Sequence, residues 1–598
     1  MKLGKRTENF YDVVIIGAGL AGLSLARQLL LYSNKTVLLL DRRAEIPPQR
    51  QKVGEATVQL SAYYFSKVLD LEEHLLREHF MKYNLRFYWK SAERDNSCYE
   101  DYSQSYIRNF SNIASYQLDR NKIEGEMLRL NLEFERFAFL SCVSDLKIEI
   151  KEDEAHSITF KTNENKFEIK SGWVVDASGR NKVLAKSMNL KRENTIRHGS
   201  SFFWVEGLLN IEKLTSLSLN EIRLRKDRTA LGHLPVWLAT NHFMGEGFWF
   251  WVIPLQGKTS LGLVYDTDII EHEQVNTPEK LIEWICREFP LFKRDLPQRK
   301  ILDHSSLKSF SYDCEQTISP ERWAMSGEAG RFTDPLYSPG GDLISLYNTL
   351  ITDAILTEDE NELKTKCKLY EQLMRSFYEA YVPSYAVSYN VLGDQEAMTL
   401  KYSWELAIYF SFYVFPFIND LFTDERFVIS FVRKFAQLGP INKYLQSFLS
   451  DYFQWKKTNT APTREPRFYD IMEIEPLRRA EKTFYRVGVS VEEARKILDE
   501  QLANLKEFAR FIFAQTSANA LDDESLLTNR AFIESIDLNS FSFDLTELRE
   551  RAEAYADEKE IYEWSFNPHT LKCFKAESRS KFNLSLVEGG AVCTTMHL

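Results

Sequence analysis

Residues Tyr11 to Asp41, YDVVIIGAGLAGLSLARQLLLYSNKTVLLLD, restrict what this chain can fold into more than any other stretch. Val13 to Ile16 is a short, β-branched run of the buried-strand type. Gly17, Gly19 and Gly22 follow in G-x-G-x-x-G spacing, with Ala18 inside the turn. In that spacing the first glycine permits a tight turn and the second lets a pyrophosphate approach the backbone. The third lets helix and strand pack closely. The free N–H groups that open the helix form an anion site. A second strand, Val37 to Leu40, ends at Asp41, about twenty residues past the turn, where a ribose hydroxyl is held. The order strand, turn, helix, strand, acid predicts a Rossmann-like dinucleotide-binding unit. It leaves open which dinucleotide is bound and what chemistry it serves.

The 598 residues suffice for several domains and a large core. A net charge of -11 speaks against a nucleic-acid partner. Aromatic residues make up 13% of the chain, which suits either an apolar pocket or an aromatic-rich core. Seven scattered cysteines without a C-x-x-C point to reduced thiols in a cytoplasm-like compartment, not to a disulfide or zinc framework. The opening MKLGKRTENF runs straight into the first strand and leaves no room for a signal peptide, so a cytoplasmic location is expected. The most apolar run, Ala407 to Ile418, is too short to span a bilayer and contains Pro416; it reads as a buried helix. The histidines form no H-x-x-x-H or H-E-x-x-H pattern, so no metal site is expected. His198, His233 and His242 read as hydrogen-bonded structural residues. No G-x-S-x-G supports a hydrolase.

Along the chain, residues 1–190 read as the first part of the nucleotide fold, 191–300 as an inserted β-rich domain and 301–360 as the return of the nucleotide fold. Residues 361–598 read as almost wholly helical. In Trp249 to Pro254, period-two alternation puts Trp249, Trp251 and Ile253 on one face. Ser490 and Glu493 fit a capping box, and Lys456 to Arg467 reads as a surface loop or small hinge. The fold class is therefore α/β: a Rossmann-like domain with an inserted antiparallel sheet, plus a helical C-terminal region.

Three separated stretches read as one flavin site: Gly17 to Gly22, Asp176 to Arg180, and Gly327 to Gly330. With them come VGEAT (Val53 to Thr57), the W-x-W-x-I-P stretch Trp249 to Pro254, and F-x-x-P-x-x-S-x-x-G at Phe332, Pro335, Ser338 and Gly341. On these motifs, over about residues 10 to 360, the chain resembles the flavin-dependent halogenases, built on the FAD-binding fold of the aromatic hydroxylases. The resemblance implies reduced FAD supplied by a separate flavin reductase, a flavin hydroperoxide, a bound chloride, and hypohalous acid captured or aimed by a lysine. Lys82, at the opening of the KYNLRFYW strand, matches that lysine. A partly desolvated ammonium has a lowered pKa and becomes a usable proton donor or nucleophile.

The same resemblance implies a halide site at Ser338, Gly340 and Gly341, since Pro339 has no N–H to offer. It implies Asp41 at the adenosine ribose and Arg42 near the pyrophosphate. Gln117 and Arg120 match a flavin-contacting pair, and Glu55, Ala56, Asp176, Glu328 and Pro335 join the cofactor set. Tyr337 stands where tryptophan halogenases carry a glutamate, which points away from free tryptophan and towards a phenolic, resorcinol-like or pyrrolic ring, free or carrier-protein-bound. Trp249 and Trp251 are expected to keep substrate off the flavin face, and Trp404 to Phe417 to line an apolar passage. An FAD monooxygenase or prenyl-type reductase on the same fold is the alternative. Without a second glycine fingerprint for a nicotinamide, electrons are expected to arrive on FAD already reduced.

Overall fold

A computed structural model describes residues 9–162, 165–224 and 235–574, so that His233 falls outside the described residues. The β-branched run becomes the strand Phe10–Ile16, inside a sheet ordered Ile318–Ser319, Trp323–Met325, Asn165–Asp176, Phe10–Ile16, Val37–Leu40, Phe137–Leu140. From Trp323–Met325 onward these junctions are parallel. Ile16 is in register with both Asp176 and Leu40, and Asp176 with Met325, so the strands end level. Gly17, Asp41, Ala177 and Ser326 therefore leave the sheet side by side at its carboxyl edge, where open α/β sheets bind ligands. Helices Leu20–Tyr32 and Pro339–Leu356 are joined by Asn348. Its Nδ2 donates to the Ala21 carbonyl (3.1 Å) and Ser24 Oγ (2.9 Å), while its Oδ1 accepts from Ser326 Oγ (2.6 Å).

A second eight-stranded sheet runs Ile301–Leu307, His198–Glu206, Lys258–Asp266, Phe248–Leu255, Thr240–Gly245, Leu85–Lys90, Tyr102–Tyr106, Phe468–Asp470. It draws strands from all four sequence segments, including two from residues 1–190 and one from the helical region. Its junctions are antiparallel except two: Thr240–Gly245 pairs parallel with Leu85–Lys90, and Phe468–Asp470 with Tyr102–Tyr106. Parallel partners are joined by long crossovers and leave no local turn signal. The alternation in Phe248–Leu255 does divide two cores. Trp249, Trp251 and Ile253 pack into the core shared with the nucleotide-binding helices. Phe248, Phe250 and Val252 pack into a separate one with helix Pro278–Glu288.

The C-terminal region is built on helices Glu360–Ala386, Gln395–Ile408, Leu438–Asn459 and Val491–Leu521. Gln395–Ile408 continues into a π-helical stretch, Tyr409–Val414, and the apolar run around it is packed into the core. Ser490 Oγ accepts from Glu493 N at 3.1 Å, but the Glu493 carboxylate is taken by Arg486 at 2.6 Å, so only half of the capping box forms. The segment 456–467 finishes helix Leu438–Asn459 and continues as a surface loop. It follows the sheet edge, where the Arg467 carbonyl accepts from Gln104 N and the Thr463 carbonyl from Ala92 N, each at 2.8 Å. Among the described residues, no helix is long and apolar enough to cross a membrane.

Candidate active site

At the dinucleotide turn each glycine has a distinct spatial reason. Gly17 has φ +108°, and a Cβ there would lie 2.5 Å from the Ala177 carbonyl oxygen. A Cβ on Gly22 would lie 2.0 Å from the Gly17 carbonyl oxygen. Around Gly19 a Cβ would meet nothing within 4 Å. Gly19 is also the N-cap of a helix with no side-chain cap and no acidic residue in its first turn. Open space over uncapped N–H groups fits a pyrophosphate. Ala18 N donates to Asp41 Oδ2 at 2.7 Å.

Arg42, the expected pyrophosphate neighbour, is exposed; Arg43 is the residue that reaches Asp41. Its backbone N and Nε donate to Oδ1, both at 2.8 Å, and Nη2 to Oδ2 at 2.7 Å. Burial pushes the Asp41 carboxyl up, but these bonds and the Arg43 charge outweigh it and the net value is lowered. Asp176 spends both oxygens on its own turn, accepting from Ser178 N (2.9 Å) and Leu184 N (2.7 Å). It shapes the backbone beside the cofactor site, and Arg180 points to solvent.

Two cavities meet at the turn before helix Pro339–Leu356. The smaller, about 90 Å³, adjoins the nucleotide fold and is lined by Ala56, Glu328, Pro335, Ser338, Gly340 and Gly341 among others. The larger, about 410 Å³, is lined by Lys82, Tyr337, Pro339, Asp342, Tyr402 and Tyr409 among others. Successive residues of the turn thus face opposite chambers. The cause is a pair of left-handed residues, Tyr337 (φ +68°) and Ser338 (φ +64°), a conformation that side chains resist. Ser338 makes no capping hydrogen bond, so Gly340 and Gly341 open the helix with uncapped N–H groups beside the smaller cavity.

Lys82 ends the short strand Phe80–Lys82, paired with Ser115–Gln117; the chain bends at Tyr83 and Asn84 before the next strand begins at Leu85. It therefore precedes the KYNLRFYW strand instead of opening it. Its side chain is buried and Nζ donates to the Thr57 carbonyl at 2.7 Å. Burial pulls the ammonium down to about 7, with Asp342 opposing the shift. Asp342, which accepts from Ser61 N at 2.8 Å, is pushed up to about 6 by burial against the pull of Ser61, Tyr409 and Lys82. Tyr337 packs against Tyr402 (4.9 Å between centroids) and edge-on to Phe87 (6.4 Å).

Trp249 and Trp251, expected as substrate neighbours, line the smaller cavity and not the larger. Their indole N–H groups are anchored by Tyr389 Oη (2.7 Å) and Ser260 Oγ (3.0 Å). Glu55 accepts from Trp204, Ser260 and Gln51, and burial pushes it up to about 7. Its carboxyl braces the cavity wall. Arg120 lines the same cavity with its guanidinium on Glu124 (2.7 Å) and the Val53 carbonyl (2.7 Å). Gln117 lies behind the wall, bonded to the Leu238 carbonyl and Thr240 Oγ1 at 3.1 Å each. In the aromatic segment, Leu406, Tyr409 and Phe410 line the larger cavity, whereas Trp404 donates to Asn442 Oδ1 at 2.9 Å, away from it.

Asp342 and Glu405 in the larger cavity and His242 in the smaller one join the residues expected from the sequence. Asp342 carried a signal, an acid directly after the glycine pair at a helix start. Glu405 and His242 carried none, because only the packing of distant strands and helices brings them to the cavities. His198 does behave as a hydrogen-bonded structural residue, with Nδ1 2.6 Å from Asp334 Oδ2 and its ring stacked on Tyr389.

No family model matches the chain. It is 26% identical over 455 residues to the flavin-dependent halogenase chlA of Dictyostelium discoideum, covering 70% of this chain and 74% of that protein. It is 22% identical over 406 residues to the 1H-pyrrole-2-carbonyl peptidyl-carrier-protein chlorinase of Pseudomonas fluorescens, covering 62% of this chain and 84% of that one. Among solved structures, halogenase PltM in complex with phloroglucinol and FAD has the same fold. The TM-score is 0.56 at 15% identity, with 83% of this chain and 96% of that one covered.

Proposed function

We propose that this chain, which belongs with the flavin-dependent halogenases, chlorinates an electron-rich phenolic ring using reduced FAD, oxygen and chloride. One observation carries this: the turn from Tyr337 to Asp342 separates a glycine-lined chamber at the nucleotide fold from a larger aromatic chamber that holds Lys82. Direct hydroxylation needs ring and flavin in one chamber; a partition suits an oxidant that travels. The uncapped Gly19 turn would hold the pyrophosphate and the walls at Ala56, Trp249, Trp251 and Glu328 the rest of FAD. When bound in its reduced form, FAD supplies the electrons with which oxygen and chloride yield hypochlorous acid.

The chain's own residues do the rest. Gly340 and Gly341 present N–H groups at the positive end of a helix to chloride. Lys82, lowered to about 7, is shared between ammonium and amine near neutrality. As ammonium it donates a hydrogen bond to the oxygen of hypochlorous acid. As amine it takes chlorine onto nitrogen with release of water. Tyr337, Tyr402 and Tyr409 hold the ring, and Asp342 keeps a negative charge near Lys82. The phloroglucinol complex of PltM supports a phenolic ring. The rim residues Asn109, Ser111 and Asn112 are neutral, which favours a free ring over one on an acidic carrier. A separate flavin reductase completes the system.

Purified protein with FAD, NADH, a flavin reductase, oxygen, chloride and a panel of phenols and pyrroles should give chlorinated product by mass spectrometry. Hydroxylated product without chlorine would overturn the assignment. Lys82→Ala should lower chlorination by about 100-fold or more while FAD binding and peroxide release persist. Retained chlorination would remove Lys82 from the reaction.

A further inference from the structure

Resting on the halogenase activity proposed above, we propose that His242 is a positioning residue in the wall between the two cavities. Its Nε2 accepts the O–H of hypochlorous acid leaving the nucleotide chamber, so that the chlorine faces Lys82. No bond is made or broken at the imidazole.

The placement follows from strand pairing. Thr240–Gly245 runs parallel to Leu85–Lys90 with His242 opposite Phe87. Thr240 and His242 line the smaller cavity, Lys82 and Leu85 the larger. The Phe87 ring stacks on His242 at 5.2 Å and meets Tyr402, in the larger cavity, at 4.9 Å. On the other side the Trp249 ring lies 5.4 Å from His242. His242 is thus the polar member of an aromatic wall that reaches from one chamber to the other.

Its tautomer is set by the backbone. Nδ1 lies 3.3 Å from the Arg86 carbonyl, which can only accept. Nδ1 therefore carries the proton and Nε2 the lone pair. The Thr240 backbone also hydrogen-bonds the ring, and the neutral imidazole holds a single proton, on the nitrogen that faces the Arg86 carbonyl. Burial, reinforced by the Lys82 charge, pulls the imidazole down to about 3. The ring stays neutral over the working range and cannot repel the Lys82 ammonium. A neutral acceptor in an apolar wall recognises a small neutral donor. Hypochlorous acid is one, whereas chloride is not.

The test separates formation of the oxidant from its delivery. With an external chlorine scavenger present, wild type should chlorinate substrate in preference to scavenger. His242→Phe should shift the product-to-scavenger ratio, counted per flavin oxidised, about fivefold to tenfold towards the scavenger, the factor one neutral hydrogen bond carries. His242→Gln, which retains an acceptor, should recover most of the ratio. An unchanged ratio in His242→Phe, or an equal fall of both outputs, would overturn the proposal. In the flavin-free protein, ¹⁵N-histidine spectra should give the residue-242 signals, assigned by their loss in His242→Gln, as a neutral Nδ1-protonated ring from pH 5 to 9. An Nε2-protonated ring would overturn it as well. Failure of the wild type to chlorinate anything would instead count against the halogenase assignment and leave the tautomer measurement standing.

Discussion

Lys82 and Asp342 set the electrostatics of the larger cavity at the level of single atoms. The Asp342 charge opposes the burial that lowers Lys82 to about 7. Asp342→Asn should therefore move the Lys82 value lower still, read as an acid shift of the limb of the pH–rate profile that Lys82→Ala abolishes; an alkaline shift would refute the coupling. The stability sign follows from linkage. Burial lowers Lys82 from 10.5 to about 7, so between those values the unfolded chain binds more protons and stability rises with pH. Lys82→Met should flatten that rise in urea titrations. Ser338 is held at φ +64° without being glycine. Ser338→Gly should stabilise the fold by about 0.5–1 kcal/mol, seen as a higher thermal midpoint. A lower midpoint would mean that the hydroxyl contributes more than the strain costs.

Among elements, the loop after Trp323–Met325 is fixed to helix Glu360–Ala386 by a buried charge cluster. Arg331, fully buried, contacts Glu371 Oε1, Thr317 Oγ1 (3.1 Å) and the Cys314 carbonyl (3.0 Å). Arg375, from the same helix, donates to Asp313 at 2.8 Å. Arg331 also lines the smaller cavity, so the cluster ties the cofactor chamber to the helical region. Arg331→Met would leave the partly buried Glu371 charge with only its Thr317 hydrogen bonds and should cost about 3 kcal/mol in urea unfolding, with weaker FAD binding. A loss near zero would show that Glu371 is relaxed by water. The element types near these contacts were legible: strand, turn and helix from Tyr11 to Asp41, the alternation at Trp249 to Ile253, and a helix after the glycine pair, expected from about Leu343 and found to begin already at Pro339. The choice of Arg43 over Arg42 at Asp41 was not, because adjacent arginines in a loop differ only in where the backbone turns them.

For the molecule as a whole, the nucleotide-binding helices, the inner face of the second sheet and the helical region share one continuous core, from Val13 to Phe574. Strand Phe468–Asp470 completes the second sheet from within the helical region. A chain ending at residue 360 would uncover that sheet edge and the apolar contacts of helix Pro339–Leu356. It should aggregate and bind a hydrophobic dye instead of folding as a separate flavin-binding domain. A monomeric, FAD-binding 1–360 fragment on size-exclusion chromatography would show the core to be divisible.

The sequence by itself determined what depends on neighbours along the chain: the glycine turn, the periodicities, and the kinds of residue gathered in each motif. Gly17, Gly19 and Gly22 could be assigned separate tasks because a tight turn, an open approach and a close packing each have a local steric cause. The tertiary structure alone decided the partition into two chambers, the placement of Trp249 and Trp251 on the nucleotide side, and the meeting of Lys82 with Asp342 and His242 across long separations. Those outcomes rest on parallel strand pairing, on consecutive left-handed residues at Tyr337 and Ser338, and on burial that shifts titrating groups. None of these leaves a mark in the order of residues, because each is fixed by what packs against the site from elsewhere in the chain.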